Sequence, residues 1–301
     1  MFRRLRHSAR VRLIDAVRDG TGHELGPVRA GLGDLGAELA ELRSEVRGLR
    51  ERVDAAEGGL RDHMIAWERR SRRDILTAVD QEAMMSSAAF VRAELRAAPP
   101  YFNKFDTLRA AMSRAPREGL YLEFGVASGG TLRVIAECAP PGTVFGFDSF
   151  EGLPEFWRPG FDAGTFKMDQ LPDVPGAELV PGWFDETLPG FLAEHPGPVA
   201  FLHLDADLYS STRTVLLALA PRLIEGTVIV FDEYFNFPEW EEHEHRAWVE
   251  FVAETGLRFE YLGYTADDEQ VVVRLLDAPS TATDQEAPAR DESATLESTS
   301  Q

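Results

Sequence analysis

The chain has 301 residues and a formal net charge of −20, and hydrophobic residues make up 44% of it. This composition is ordinary for a globular protein and excludes a collagen-like fibre or a wholly disordered chain. No run of roughly 18 uncharged apolar residues occurs, which argues against a transmembrane helix. The single cysteine, Cys138, cannot form a disulfide within the chain, and the start lacks the pattern of a secretory signal. We therefore expect a cytoplasmic protein.

The charge is unevenly distributed along the chain. Residues 1–75 contain 16 basic and 13 acidic residues, whereas residues 76–301 contain 15 basic and 38 acidic residues. A body this acidic repels phosphate backbones, so we expect no nucleic-acid partner. The basic start of the chain is interpreted as an exposed helix with solvated arginines, because basic runs are weak indicators of a partner.

Residues 1–75 are predicted to form a helical, partly coiled-coil-like extension. From Leu32 to Leu60, apolar residues recur at alternating spacings of three and four. This pattern is typical of a coiled coil and indicates a homo-oligomer formed through residues 30–60. The alternative is one amphipathic helix that lies on the chain's own body. Several glycines in this segment weaken a helix in either case.

Residues 76–278 alternate strand-like and helix-like segments, which predicts a mostly parallel α/β sheet covered on both faces. The strand-like runs are LYLEFGV, TVFGFDSF, AELVPGWF, VAFLHLDAD and TVIVFDEYF. Two further runs, at 258–265 and 269–276, are separated by ADD and predict an antiparallel hairpin. Residues 279–301 are rich in Ser, Thr, Ala and Glu, and we expect a disordered tail there.

The first candidate site is a glycine-rich loop after the first strand-like run, with the sequence EFGVASGG from Glu123 to Gly130. Gly125 and Gly129 would let the backbone approach a ligand, and the following helix N-terminus would present N–H groups to an anion. Glu123 stands where a dinucleotide-binding loop needs glycine, and it would pair with an ammonium group. The loop therefore favours the methionine half of S-adenosyl-L-methionine, with a purely structural turn as the alternative.

The second candidate is Asp148, which ends the next strand-like run 23 residues beyond Gly125. An acid about 20 residues past such a glycine turn accepts hydrogen bonds from ribose hydroxyls. The alternative is an ordinary exposed loop acid.

The third candidate is a set of acids that follow two more strand-like runs. Asp205 and Asp207 follow one run, and Asp232 and Glu233 follow the next. Carboxylates held together repel one another unless a cation is present or some are protonated. Oxygen ligands favour Mg²⁺ or another hard divalent cation. The alternative is ordinary strand ends and helix caps.

The segments LEFGVASGGTLR, GFDSFEGLP, HLDADLYSST and VFDEYF, in this order, resemble class I S-adenosylmethionine-dependent methyltransferases. More narrowly, they are similar to the macrocin O-methyltransferase group, bacterial enzymes that methylate sugar hydroxyls on macrolides. The resemblance covers roughly residues 85–277. It implies a Rossmann-like sheet of seven strands, mostly parallel, with an antiparallel last strand.

The resemblance also assigns roles to residues of the site. It places Glu123, Gly125, Val126 and Gly129 around the methionine moiety. Asp148 would hold the ribose, with Ser149 and Phe150 beside it. Gly182, Trp183 and Phe184 would lie near the adenine. The metal ligands implied are Asp205, Asp232 and Glu233. Many catechol-type relatives carry Asn in the last of these positions, where Glu233 adds a negative charge.

The reaction expected from these features is methyl transfer to a hydroxyl of a small-molecule acceptor, a sugar or a glycosylated natural product, assisted by a divalent metal. The catalytic candidates are Asp205 and Asp207 at the strand end and His243 and His245 in the segment EEHEHRAW. His203, inside a strand-like run, is interpreted as a packed core residue. Two alternatives remain, a nucleotide-dependent oxidoreductase and a non-catalytic protein that binds the cofactor or only oligomerises.

Overall fold

The computed structural model describes residues 2–280, and the chain divides between Asp74 and Ile75 into two units. The predicted disordered tail lies outside the described residues apart from Pro279 and Ser280. Within residues 2–280, no helix combines the length and the apolar character needed to cross a membrane.

The first unit is a single helix, α1 (Phe2–Arg73), of 72 residues. It runs without a break through Pro27 and through the glycines of the coiled-coil-like segment. Each interior glycine costs a helix about 1 kcal/mol relative to alanine. Ion pairs one turn apart, such as Arg61–Glu57, each contribute only about 0.2–0.5 kcal/mol. The stability of such a helix therefore depends on what its apolar positions contact.

The second unit contains a sheet of eight strands with helices on both faces. The strands are β1 (Pro100–Tyr101), β2 (Leu120–Phe124), β3 (Val144–Asp148), β4 (Ala177–Pro181), β5 (Val199–Leu204), β6 (Leu223–Phe231), β7 (Phe259–Thr265) and β8 (Val271–Leu275). The helices are α2 (Ile75–Glu94), α3 (Lys104–Met112), α4 (Gly130–Cys138), α5 (Phe184–Glu194), α6 (Tyr209–Leu219) and α7 (Glu244–Thr255).

The strand order is β1-β7-β8-β6-β5-β2-β3-β4. Every neighbouring pair is parallel except those that involve β8, which is antiparallel to both β6 and β7. The predicted Rossmann-like sheet with its closing antiparallel strand is thereby confirmed. The count of seven strands needs one correction, because β1 adds a two-residue edge strand alongside β7. So short a strand has no periodicity that the sequence could reveal.

Each of the five strand-like runs extends two to four residues past the end of the strand it contains, and the difference matters most at the third run. The segment 177–184 was expected to be extended throughout, but β4 ends at Pro181 and α5 begins at Phe184. The loop between them contains Gly182 with φ +137°, in a region that only glycine adopts readily. Trp183 and Phe184 therefore stand at a strand-to-helix turn.

The strand order places β2 between β3 on one side and β5 on the other. This is the switch point of an open α/β sheet, where ligands bind outside the carboxyl ends of the strands. The register aligns Glu123 with His203, and His203 with Val230, so that β2, β5 and β6 end at nearly the same level. Loops that are far apart in sequence therefore meet at one edge.

Both faces of the central strands are buried, and alternating side chains enter two hydrophobic layers. Leu122 and Phe124 point into one layer, while Tyr121 and Phe201 point into the other. Trp248 of α7 is fully buried in the first layer. A sheet covered on both faces is held rigidly, so the loops at its carboxyl edge are fixed in position.

Candidate active site

A cavity of about 740 Å³ opens at the carboxyl ends of strands β2 to β6. The loop after each of these five strands contributes residues to its wall. Of the site residues selected from the sequence, those that line this cavity are Gly125, Asp148, Ser149, Trp183, Phe184, Asp205, Asp207, Asp232 and Glu233.

Gly125 is the point at which the loops after β2 and β5 touch. Its φ is +95°, and a Cβ atom added there would lie 1.7 Å from the carbonyl oxygen of Asp205. The backbone N–H of Asp205 also donates a hydrogen bond of 2.9 Å to the carbonyl of Phe124. The glycine is therefore required by close backbone packing, which sets the position of the acidic loop.

Asp148 fixes the glycine-rich loop. Its Oδ2 accepts hydrogen bonds from the backbone N–H groups of Val126 at 2.9 Å and Ala127 at 2.8 Å. Its Oδ1 accepts one from the N–H of Phe150 at 2.6 Å. Asp148 is thus a half-buried residue that joins the ends of β2 and β3, rather than a free loop acid. Its side chain lines the cavity.

Three of the residues expected around the methionine moiety lie behind the cavity wall. Val126 and Gly129 are buried, and Gly129, with φ +74°, caps the N-terminus of α4. Glu123 is completely buried, and its Oε1 lies 2.8 Å from Nδ1 of His203. The cationic partner expected for Glu123 is therefore a side chain of the same protein.

His203 bridges two carboxylates inside the sheet. While Nδ1 contacts Glu123, Nε2 lies 3.4 Å from Oδ1 of Asp232. Burial alone would lower the pKa of His203, but the hydrogen bonds to Asp232 and Glu123 raise it to about 10. The imidazolium is therefore packed in the core, as predicted, and it also carries charge that compensates two acids.

Asp205, Asp207 and Glu233 form a compact cluster, with one carboxylate oxygen of each within 4.8 Å of the others. Burial and neighbouring carboxylates raise the pKa values of Asp205 and Glu233 well above their usual range. The Oε2 atom of Glu233 is buried and has no hydrogen-bond partner within residues 2–280. The positive charges of His203 and Arg158 compensate this cluster only in part, and its oxygen atoms are the donors that a hard divalent cation prefers.

Asp232 lies at the edge of this cluster, between two cationic side chains. Its Oδ2 is 3.5 Å from Nζ of Lys104, and its Oδ1 contacts His203. Burial alone would raise the pKa of Asp232, but the hydrogen bond and charge of His203 lower it, with a further contribution from Lys104. The compact cluster shares Asp205 and Glu233 with the expected set of metal ligands. Its third member is Asp207, whereas the expected third ligand was Asp232.

Asp207 combines burial with an unusual backbone conformation. Its φ is +59°, in the left-handed region that non-glycine residues rarely adopt. Burial raises the pKa of Asp207 to about 7, against the opposing charge of Arg158. Arg158 is itself held by Glu269 at 3.1 Å and lies 3.9 Å above the ring of Trp157. Strained, buried acids of this kind are concentrated at functional sites.

The structure does not bring His243 or His245 to the cavity wall. The ring of His243 packs beside Phe237, and burial lowers the pKa of His243. His245 packs edge-on against Tyr234 and Trp240, and burial lowers its pKa to about 4. Both histidines belong to aromatic packing around α7.

Glu244, between these histidines, holds the backbone of the two acidic loops, and the sequence analysis did not identify it. It is completely buried, and its carboxylate accepts hydrogen bonds from the N–H groups of Glu233 at 3.1 Å and Ala206 at 3.4 Å. A usable signal was present. Glu244 precedes Ala247 and Trp248 by three and four residues, which places an acid on the buried face of α7.

Comparisons with known proteins bear on this arrangement. A family model described as a methyltransferase domain matches residues 122–234. The 8-demethyl-8-(2,3-dimethoxy-alpha-L-rhamnosyl)-tetracenomycin-C 4'-O-methyltransferase of Streptomyces olivaceus is 46% identical over 113 residues, covering 29% of this chain and 40% of that protein. The demethyldecarbamoylnovobiocin O-methyltransferase of Streptomyces niveus is 30% identical over 128 residues, covering 35% of this chain and 47% of that protein.

Among solved structures, the calicheamicin methyltransferase CalS11 is 27% identical, with a TM-score of 0.46, covering 57% of this chain and 77% of that chain. The chain spans less than half of the length of the two relatives from Streptomyces. The reactions in their names are therefore stated of those two proteins and not of this chain. The methyltransferase-domain model matches residues 122–234, a little over a third of the chain, and the resemblance to methyltransferases stated from the four sequence segments is confirmed.

The contact at Gly125 leads to a prediction. We expect Gly125→Ala to lower the melting temperature by several degrees, because the new Cβ atom would collide with the carbonyl oxygen of Asp205. Gly142→Ala is the matched control, since Gly142 also has a positive φ, of +78°, but no atom within 4 Å of the added Cβ. Thermal denaturation of both variants measures the difference. Equal losses would show that only backbone strain matters at Gly125.

Proposed function

We propose that the chain, which a methyltransferase-domain model matches over residues 122–234, transfers a methyl group from S-adenosyl-L-methionine to a hydroxyl of a small-molecule acceptor. A sugar or a glycosylated natural product is the acceptor class we favour. One observation carries the proposal. A single cavity contains the glycine-rich loop with Asp148 at one side and four carboxylates at the other. The names of both Streptomyces relatives, which are O-methyltransferases, support it.

The donor would lie across the ends of β2, β3 and β4. Gly125 and Ala127 expose backbone there, Asp148 offers carboxylate oxygens to ribose hydroxyls, and Trp183 and Phe184 offer aromatic surface to the adenine. The positive sulfonium group is compatible with a cavity wall rich in carboxylates. Glu123 would act indirectly, because it holds His203, which in turn contacts Asp232.

The transfer is an in-line displacement, in which the bond between carbon and sulfur breaks as the bond between carbon and the acceptor oxygen forms. Holding both reactants in one closed site contributes much of the rate. The hydroxyl proton must go to a base, and we assign that role to Asp207, because its buried carboxylate faces the cavity beside the other acids. His243 and His245 lie outside the cavity wall and are not used.

The acidic residues fit a divalent cation. Asp205, Asp232 and Glu233 would hold it, as the resemblance implies, and Asp207 would border it. The unpartnered Oε2 atom of Glu233 supports this assignment. When bound, a divalent cation would lower the pKa of the acceptor hydroxyl and orient it.

The donor assignment is tested by calorimetric titration of the purified chain. We expect saturable binding of S-adenosyl-L-methionine and no binding of NAD, because Glu123 replaces the glycine that a pyrophosphate site needs.

Asp148→Ala should weaken the binding of S-adenosyl-L-methionine, since the carboxylate organises the glycine-rich loop. Asp169→Ala, at an exposed position, is the control. Binding of NAD alone would favour an oxidoreductase.

The metal assignment is tested by chelation. Methyl transfer is measured with a labelled donor and a panel of hydroxylated glycosides. We expect EDTA to abolish transfer and added Mg²⁺ to restore it. Asp232→Asn should weaken Mg²⁺ binding in a direct titration, because it removes one charged ligand. Activity that persists after exhaustive chelation would remove the metal from the proposal.

The role of Asp207 is tested by Asp207→Asn. Asparagine tolerates the left-handed backbone but cannot take up the proton, so we expect kcat to fall by about 10²- to 10⁴-fold. The affinities for S-adenosyl-L-methionine and for Mg²⁺ should stay unchanged. If Asp207→Asn instead loses Mg²⁺ binding while Asp232→Asn retains it, Asp207 is a metal ligand and not the base.

A further inference from the structure

One face of α1 carries a continuous apolar stripe, which we call the α1 seam. Its nine residues are Leu32, Leu35, Leu39, Leu42, Val46, Leu49, Val53, Ala56 and Leu60. All nine are exposed, and the eight larger side chains have 46–67% of their surface accessible. Within the first unit, nothing covers this stripe. An apolar stripe of this length is typical of a surface that contacts another chain.

The spacing within the α1 seam matches the heptad repeat of a coiled coil. The first residue, Leu32, takes position a and Leu35 takes position d, and the alternation continues without interruption to Leu60. The helix contains six glycines between residues 31 and 59, and none of them occupies an a or d position. The residues that would weaken packing are therefore confined to positions outside the seam.

The charged residues beside the seam indicate which partner and which orientation fit. In a parallel, in-register pair, each g residue faces the e residue of the other helix that lies five positions further along. Glu38 would face Arg43, Glu45 would face Arg50, and Arg52 would face Glu57, so all three contacts join opposite charges. In an antiparallel pair over the same residues, e positions face each other, and Arg43 would face Arg50.

We propose that residues 32–60 of α1 form a parallel, in-register, two-stranded coiled coil with a second copy of this chain. The sequence of one helix supplies both halves of every charge contact, which is what a symmetric homodimer requires. In this arrangement both copies continue beyond Arg73 from the same end of the coiled coil. The proposal does not depend on the reaction proposed above.

Charge reversal tests the partner. By light scattering, we expect the full chain to have twice its mass of 33.5 kDa. The double variant Arg43→Glu/Arg50→Glu should be monomeric at the same concentration, and so should Glu38→Arg/Glu45→Arg, because each brings like charges together. An equimolar mixture of the two variants should regain the doubled mass, which also shows that both remain folded.

The matched control is Arg47→Glu/Arg61→Glu, at two b positions that face away from the seam. It breaks the ion pair of Arg61 with Glu57 within the helix, so it disturbs a single helix more than the test variant does. We expect it to keep the doubled mass. A monomeric full chain, a larger oligomer, or equal effects of the test and control variants would overturn the proposal.

Cross-linking tests the orientation independently of mass. In a Cys138→Ala background, Leu35→Cys places a thiol at a d position near one end of the seam, where only a parallel, in-register pair brings two copies together. We expect a disulfide-linked dimer under mild oxidation, and none from Arg47→Cys at a b position. Absence of a dimer from Leu35→Cys, or equal yields from both variants, would overturn the parallel register.

Discussion

The contact on which the site depends most is the bridge that His203 makes between Glu123 and Asp232. These three side chains belong to the adjacent strands β2 and β5 and to the end of β6, and all are buried. Two carboxylates in such a position would be costly without a cation, and removing one partner of a buried pair costs about 3–5 kcal/mol. The imidazolium therefore makes an acidic sheet edge compatible with a folded core.

The cationic side chains do not compensate all of the carboxyl groups at this edge, and the uncompensated carboxyls give the cavity its acidic wall. His203 and Lys104 face Asp232, whereas Asp205 and Glu233 have raised pKa values and Glu233 has an unpartnered oxygen. Glu244 adds another buried carboxylate beneath them and uses it to hold the backbone of the acidic loops. The folded chain thus holds more carboxyl groups than cationic side chains at a rigid edge, and the raised pKa values mean that some of these carboxyls keep a proton unless a cation is bound. Groups that carry positive charge are complementary to it.

The sequence predicted the fold well, because strand runs that are apolar throughout and separated by helices leave few topologies. It also selected nine residues that line one cavity, since the carboxyl ends of parallel strands share an edge. It failed where position depends on packing. Glu123 was expected to meet a ligand but contacts His203, and nothing in the local sequence shows that these residues are cross-strand neighbours.

His243 and His245 show the converse error, because they were expected at the site and lie outside the cavity wall. Residue type made His243 and His245 attractive as bases, yet the helix directs the intervening Glu244 towards the site. The periodicity of α7 contains this information, because Glu244 shares a face with Ala247 and Trp248. A titratable residue on an otherwise apolar helix face is therefore a stronger site candidate than one that stands out only by its residue type.

The two units differ in the source of their stability. The second unit buries two hydrophobic layers against its own sheet, so its core is formed within one chain. The helix α1 exposes its apolar stripe and contains glycines and Pro27, so intrinsic propensity alone supports it poorly. If a second copy covers the stripe, the stability of α1 rises with protein concentration, whereas that of the sheet does not. The same chain then contains one unit whose order is set by its own core and another whose order is set by association.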